Sequence, residues 1–174
     1  DAERFGFVIK LIAQAKKLEN GKIYAIVSPA LVKKESMLAG VNDVFNACLV
    51  KGDMTGDILL YGKGAGSSAT ASAVVGDIID CADNDEKRKV FGWKAAQPNL
   101  LEDYKNVPVS LFVRIKGGET EKDKVLSSFA PEKIFEDKEK GEIAFITKTE
   151  KESELFEKLD SSAFGVLSSI RVTD

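Results

Sequence analysis

The chain contains no histidine, and only two cysteines, two methionines, one tryptophan and four prolines among 174 residues. Without imidazole, nucleophilic catalysis through Ser-His or Cys-His pairs is excluded, and two thiols alone are too few ligands for a zinc site, so no metal is expected. Any proton transfer within the chain has to use carboxylate, lysine or tyrosine side chains. Cys48 falls in an apolar strand-like stretch and Cys81 in a helix-like one, which predicts reduced, buried thiols rather than a disulfide or a nucleophile. No apolar run reaches the roughly 18 residues that a membrane-spanning helix needs, because Lys10 and Asp77 interrupt the two longest candidates. A signal-peptide pattern is also lacking, and a cytoplasmic location is the expectation. Nor is there a surplus of one charge. The 25 basic residues are scattered among 28 acidic ones for a net charge of −3, which gives no footprint for nucleic acid or a membrane surface.

What the chain does have is an apolar fraction of 44%, enough to build the core of one ordinary domain or two small ones. Its organising stretch is residues 61–80, YGKGAGSSATASAVVGDIID. The preceding Asp57, Ile58, Leu59, Leu60 and Tyr61 read as a strand. Gly62, Gly64 and Gly66 then remove three side chains from a short run, so the backbone can turn sharply and present N–H groups to something bulky or anionic. Ala71, Val74, Val75, Ile78 and Ala82 recur at the helical period and form one apolar stripe. Strand, glycine turn and helix N-terminus together make a docking place for a charged or planar ligand. The spacing alone is weak. No Gly-Lys-Ser/Thr closes it as a P-loop, and Gly-x-Gly-x-Gly differs from the dinucleotide fingerprint Gly-x-Gly-x-x-Gly. A turn that merely lets a helix pack on a sheet satisfies the same pattern.

The wording of the stretch is more specific. With residues 41–61, VNDVFNACLVKGDMTGDILLY, it closely resembles the homoserine dehydrogenases, in which a GVFNA strand, a GD..G..L.YG.GAG hairpin and a TASAVVGD helix follow in this order. FGFVIKLIAQAKKLENGKIYAIVSPAL, earlier in the chain, is similar to the family's GYVIKLLA and GKI.A.V.P.L segments. The resemblance implies a parent enzyme that interconverts L-homoserine and L-aspartate 4-semialdehyde with NAD or NADP, in threonine and methionine biosynthesis. It also implies that the Rossmann domain and the proton-shuttling Asp and Lys lie upstream, so that no catalytic residue is expected here and the chain alone is expected to be inactive. Gly66, with Gly64 and Ala65 beside it, is the expected contact to the nicotinamide end of the cofactor. Departures from the family wording are Ser36 and Met37 in place of a His-Pro pair, and Ala69 where a proline is common.

Taken in order, residues 2–17 read as an amphipathic helix on the stripe Phe5, Val8, Ile9, Ile12 and Ala13, and residues 22–28 as a strand that Pro29 ends. Residues 41–51 and 57–61 read as a hairpin around Gly52 and Gly56, which in the family carries dimer contacts and one wall of the substrate cleft. Asn42 and Asn46 would share one face of its first strand. Residues 85–107 read as a linker, with Trp93 as an anchor packed on a neighbour. From Pro108 the pattern is strand, helix, strand, strand, helix, strand, with capping boxes at Thr120 and Asp123 and at Thr149 and Glu152. That is the ferredoxin-like split βαβ plan. It resembles an ACT domain, a regulatory module that binds amino acids at subunit interfaces. The family's ligand turn, Asp-x-Pro-Gly, aligns with Glu121, Lys122, Asp123 and Lys124, which lack both the proline and the glycine.

The expected fold class is therefore α+β: a homoserine dehydrogenase substrate and dimerisation portion over residues 1–84, a linker over 85–107, and an ACT-like βαββαβ regulatory domain over 108–174. The expected partners are further copies of the chain, at least as a dimer, and an amino-acid effector of allosteric regulation. Two alternatives stand beside the dehydrogenase reading: an amino-acid-sensing ACT-type binding and oligomerisation module, and a phosphate-ligand binder built on the turn at residues 62–70.

Overall fold

The computed structural model describes residues 2–84 and 92–173; residues 85–91, which hold most of the charged run and the start of the expected linker, lie outside the described residues. In chain order the elements are β1 (Phe7–Lys17), β2 (Ile23–Lys33), β3 (Phe45–Gly52), β4 (Gly56–Lys63), α1 (Ser67–Asp83), β5 (Pro108–Lys116), α2 (Glu119–Phe129), β6 (Lys133–Asp137), β7 (Glu142–Ile146), β8 (Glu150–Lys151), α3 (Glu152–Ser161) and β9 (Gly165–Thr173). They form two compact units, one of Asp1–Lys34 with Gln97–Asp174 and one of Glu35–Ala96. The first unit thus joins both ends of the chain, where a division in chain order was expected.

The first unit is one sheet in the order β1-β2-β9-β5-β7-β6, with the two residues of β8 added beside β5. Over residues 108–173 the expected order of strands and helices is observed, and β9, β5, β7 and β6 are antiparallel neighbours. One face carries both helices. There Leu111, Val113 and Ile115 of β5 and Ile143 and Phe145 of β7 pack against Val125 and Phe129 of α2 and Leu155 and Leu159 of α3. Side chains of this size contribute about 1.5–3 kcal/mol each when fully buried. The opposite face is dry as well, because Phe5, Phe7 and Leu31 cover Phe112, Ala144 and Ile146. Phe5 meets Phe112 edge to face at 5.4 Å, and the Arg4 guanidinium lies 4.6 Å over the Phe135 ring.

That second core explains why the helix expected over residues 2–17 does not form. A single 3-10 turn spans Ala2–Phe5, Gly6 takes φ 85, and β1 begins at Phe7. The break lets Phe5 and Phe7 both enter one cluster, and β1 then pairs with β2 over eleven residues, from Phe7 opposite Lys33 to Lys17 opposite Ile23. Apolar residues on both sides of this stretch fit a helical stripe and a strand equally, and the long ladder decides. Pro29 does not end β2. It sits opposite Leu11 one residue before β9 joins β2 at Ala30–Val32, so no β9 partner requires its missing N–H.

The helix starts also differ from expectation. The cap of α2 is Gly118, whose N–H donates to Glu121 Oε2 at 3.0 Å, so Glu121 takes the role expected of Asp123. This backbone hydrogen bond holds the Glu121 carboxyl below its usual range. Lys151 precedes α3, and Glu152 is no cap: it is 3% exposed and binds Arg171, with Nε–Oε2 3.0 Å and Nη2–Oε1 2.5 Å. The Arg171 guanidinium also lies 5.4 Å from the Tyr104 ring. Burial pushes the nearby Tyr24 phenol up, with Arg171 opposing and Glu152 adding to the shift.

Part of the expected linker is docked onto β2. Ile23 N–H donates to Leu100 O at 2.8 Å and Glu102 N–H to Ile23 O at 2.9 Å, while Lys22 Nζ lies 2.9 Å from Glu102 Oε2. Trp93 is not the expected anchor, being 90% exposed. Both cysteines are free, and both are exposed rather than buried.

Arg171→Ala, which strands a buried carboxylate, is expected to cost about 3–5 kcal/mol in urea unfolding, and the double change Arg171→Met with Glu152→Leu less than that. The Lys22 and Asn106 hydrogen bonds pull Glu102 down from 4.5 to about 2. Because the folded value is the lower one, this contribution is complete above about pH 4.5 and fades as pH falls toward 2. Protection from amide exchange at Ile23 and Glu102, relative to the unfolded chain at the same pH, is expected to fall over that window, and Glu102→Gln to abolish this loss of protection.

Candidate functional site

The second unit contains the hairpin, the glycine bend and α1. Strands β3 and β4 pair without interruption from Phe45 opposite Lys63 to Gly52 opposite Gly56. Gly56 takes φ 70, which a short hairpin turn needs and glycine supplies without strain. The expected hairpin is therefore present, but its first strand starts at Phe45, not at residue 41. Asp43 adopts φ 55 just before it, and Asn42 lies in that turn, where its Nδ2 reaches Gly40 O at 3.3 Å. Only Asn46 of the two asparagines is on the strand. At the far end of the hairpin the Phe45 and Tyr61 rings stack, with centroids 4.9 Å apart and planes 9° from parallel.

Gly64, Ala65 and Gly66 fill the gap between the end of β4 and the start of α1, and all three are exposed. The glycines there serve different needs. The N–H of Gly64 donates to Val44 O at 3.1 Å, tying the bend to the approach to β3. Gly66 is the N-cap of α1 with φ 120 and ψ 144, a conformation that L side chains rarely adopt. A Cβ built on Gly66 meets nothing within 4 Å, nor does one on Gly62. Around Gly62 and Gly66 the bend is thus open, while the space beside Gly64 is filled by Asn46. No side chain caps the first turn of α1 and no acidic residue stands in it, so its N–H groups and the positive end of the helix dipole stay available to an electron-rich ligand.

Helix α1 forms on the expected stripe, yet Val74, Val75, Ile78 and Ile79 are all more than half exposed. Leu60 of β4 is 62% exposed and Ile58 43%. Among the described residues this unit has no buried side chain at all. It has regular backbone hydrogen bonding and no core of its own, so its apolar surface is of the kind that monomeric proteins rarely leave open. Among the described residues no group of three or more His, Cys, Asp or Glu could hold a metal ion, and no helix is long and apolar enough to cross a membrane.

Residues 1–79 match the sequence profile of the homoserine dehydrogenase family. A homoserine dehydrogenase of Synechocystis is 48% identical over 82 residues, and one of Helicobacter pylori is 38% identical over 114, which is 66% of this chain. The solved homoserine dehydrogenase of Thiobacillus denitrificans superimposes on 99% of the chain with a TM-score of 0.78 at 30% identity. The chain is homologous to part of the homoserine dehydrogenases. A homoserine dehydrogenase of S. aureus likewise matches 99% of the chain, with a TM-score of 0.73 and 29% identity. Both structural matches take in the mixed α+β architecture, which agrees with the expected fold class. The chain spans 44% of the Thiobacillus structure, and the matched stretch spans 27% of the Helicobacter enzyme.

Sequence reasoning reached the bend through its glycines but missed Asn46 as the neighbour of Gly64, since nothing in the spacing indicates which side chain fills a glycine's empty space. If φ 120 is what requires glycine at 66, Gly66→Ala should cost about 1–3 kcal/mol through backbone strain. Gly62→Ala, with open space around it, should stay within about 0.5–1 kcal/mol. Circular-dichroism melts of the two variants measure the difference.

Proposed function

We propose that this chain is the cofactor-closing and substrate-wall portion of a homoserine dehydrogenase, an oxidoreductase that interconverts L-homoserine and L-aspartate 4-semialdehyde with NAD or NADP on the route to threonine and methionine. The observation that carries the reading is the open Gly66 bend in a segment whose wording and fold are those of the family. A nicotinamide cofactor, when bound, accepts or donates the hydride. The part of this chain is to let the ring approach: Gly66 has no side chain to hold it off, the α1 N-terminus offers uncapped N–H groups, and Gly64 and Ala65 form the adjoining wall. The chain has no histidine to move protons, and the residues that do so belong to a partner segment. The coreless second unit fits the same reading, because its apolar helix and hairpin would be covered by a nucleotide-binding half and by a second subunit, making the enzyme a cytoplasmic homo-oligomer.

Residues 108–173 are read as an ACT-like regulatory module, supported by the βαββαβ order and by β9, β5, β7 and β6 as antiparallel neighbours. Its strand-to-helix turn is Gly117–Gly118, whereas Glu121, Lys122, Asp123 and Lys124 lie inside α2. The Gly118 N–H is already engaged by the Glu121 carboxylate, so an amino-acid effector at this turn has to displace that carboxylate.

The reading is tested by fusing the chain behind the preceding half of the Thiobacillus denitrificans enzyme. Homoserine-dependent formation of NADH or NADPH is expected from the fusion and not from the chain alone. Gly66→Val in the fusion should lower kcat/KM by on the order of 10²-fold. A soluble fusion without activity, beside an active parent enzyme, defeats the assignment.

A further inference from the structure

We propose that Asn46 is a positioning residue that sets the glycine bend, and that Gly64 lacks a side chain to make room for Asn46 rather than for the cofactor. This inference rests on the dehydrogenase reading above. A Cβ built on Gly64 would lie 1.7 Å from Asn46 Nδ2, 2.7 Å from its Cγ and 3.2 Å from its Cβ. Turning the carboxamide away relieves the first two clashes. The third contact involves an atom fixed to the backbone of β3, so it stays tight in any rotamer until the bend or the strand gives by a few tenths of an ångström.

Val44, the residue just before β3, also holds the bend, by accepting a hydrogen bond from Gly64 N–H at 3.1 Å. Gly64 is therefore gripped by two groups two residues apart on one segment: a carbonyl that fixes its height and a side chain that fills the space its Cβ would take. The residue opposite Asn46 in the ladder is Gly62, which leaves the carboxamide free of a cross-strand neighbour on that side. Among the described residues the Asn46 carboxamide makes no hydrogen bond, so its effect on the bend is steric. Stacking of Phe45 on Tyr61 stiffens the same end of the hairpin.

Gly66 follows two residues later in the open φ 120 conformation. Its position in space is inherited from where Gly64 is held, and a displacement at Gly64 would move the surface meant for the nicotinamide ring. Two of the three glycines thus divide the work: Gly64 accommodates Asn46 and Gly66 faces the ligand, while a Cβ at Gly62 would meet open space.

The test is a double-mutant cycle of Gly64→Ala, Asn46→Ala and the double variant, made in a homoserine dehydrogenase holoenzyme that carries this sequence. Gly64→Ala alone is expected to raise the KM for NAD(P) by at least about fivefold with a smaller change in kcat, and the double variant to recover most of that loss. Equal impairment by Gly64→Ala whether or not Asn46 is present would show that the ligand itself demands glycine at 64, and would overturn the proposal. The same four versions of the 174-residue chain, compared by amide exchange at Thr70, whose N–H donates to Gly66 O at 3.1 Å, give a readout that needs no turnover: coupling between the two sites supports the proposal and simple additivity refutes it. Should Gly64→Ala be insoluble, solubility restored by Asn46→Ala supports the proposal and continued insolubility refutes it. Absence of homoserine-dependent activity in the unmodified enzyme would count against the dehydrogenase reading and leave the exchange result to decide on Asn46.

Discussion

The pairing of β2 with β9, parallel over Ala30–Val32 and Arg171–Thr173, is the constraint on which the first unit depends. It joins the earliest hairpin of the chain to its last strand, so the segment Glu35–Ala96 leaves a sheet at one strand and the chain returns to that sheet afterwards. Short-range hydrogen bonding alone would not favour such an arrangement, since closing a long loop costs entropy before any contact offsets it. The offset comes from burial on both sides of β5 and β7. Helices α2 and α3 dry one face, and Phe5, Phe7 and Leu31 dry the other.

The pattern over residues 108–173 was legible because local signals and tertiary demand agree there: alternation along β5 and helical spacing at Val125 and Phe129 are what the fold buries. The hairpin and the helix after Gly66 were legible for the same reason. The N-terminal stretch was not, because Phe5, Val8, Ile9 and Ile12 satisfy a helical stripe while the outcome is set by a partner strand and a distant aromatic cluster. Glu152 is not the cap that the spacing predicts, because a glutamate in a first helical turn has two destinations. The preference for the Arg171 guanidinium depends on a strand that arrives later in the chain.

The candidate site shows a different balance. The glycine bend is visible from composition, and the space that a Cβ would take is open at Gly62 and Gly66 but filled by Asn46 at Gly64. Which glycine serves the ligand and which serves the protein is a matter of three-dimensional neighbours, and spacing does not encode it. The exposed positions of Cys48, Cys81, Val74 and Ile78 share one cause. Among its described residues the second unit buries no side chain, so its apolar periodicity does not mark a core within the unit.

The plug formed by Phe5 and Phe7 bears on how the chain is made. These rings leave the ribosome among the first residues of this segment, yet the strand surface that shelters them, Phe112 with Ala144 and Ile146, is synthesised much later. In the interval they are sticky groups without a home, next to a hairpin whose Leu11 and Val27 are also open to water. Lysines at positions 10, 16 and 17 give the waiting strand some protection against self-association in that interval.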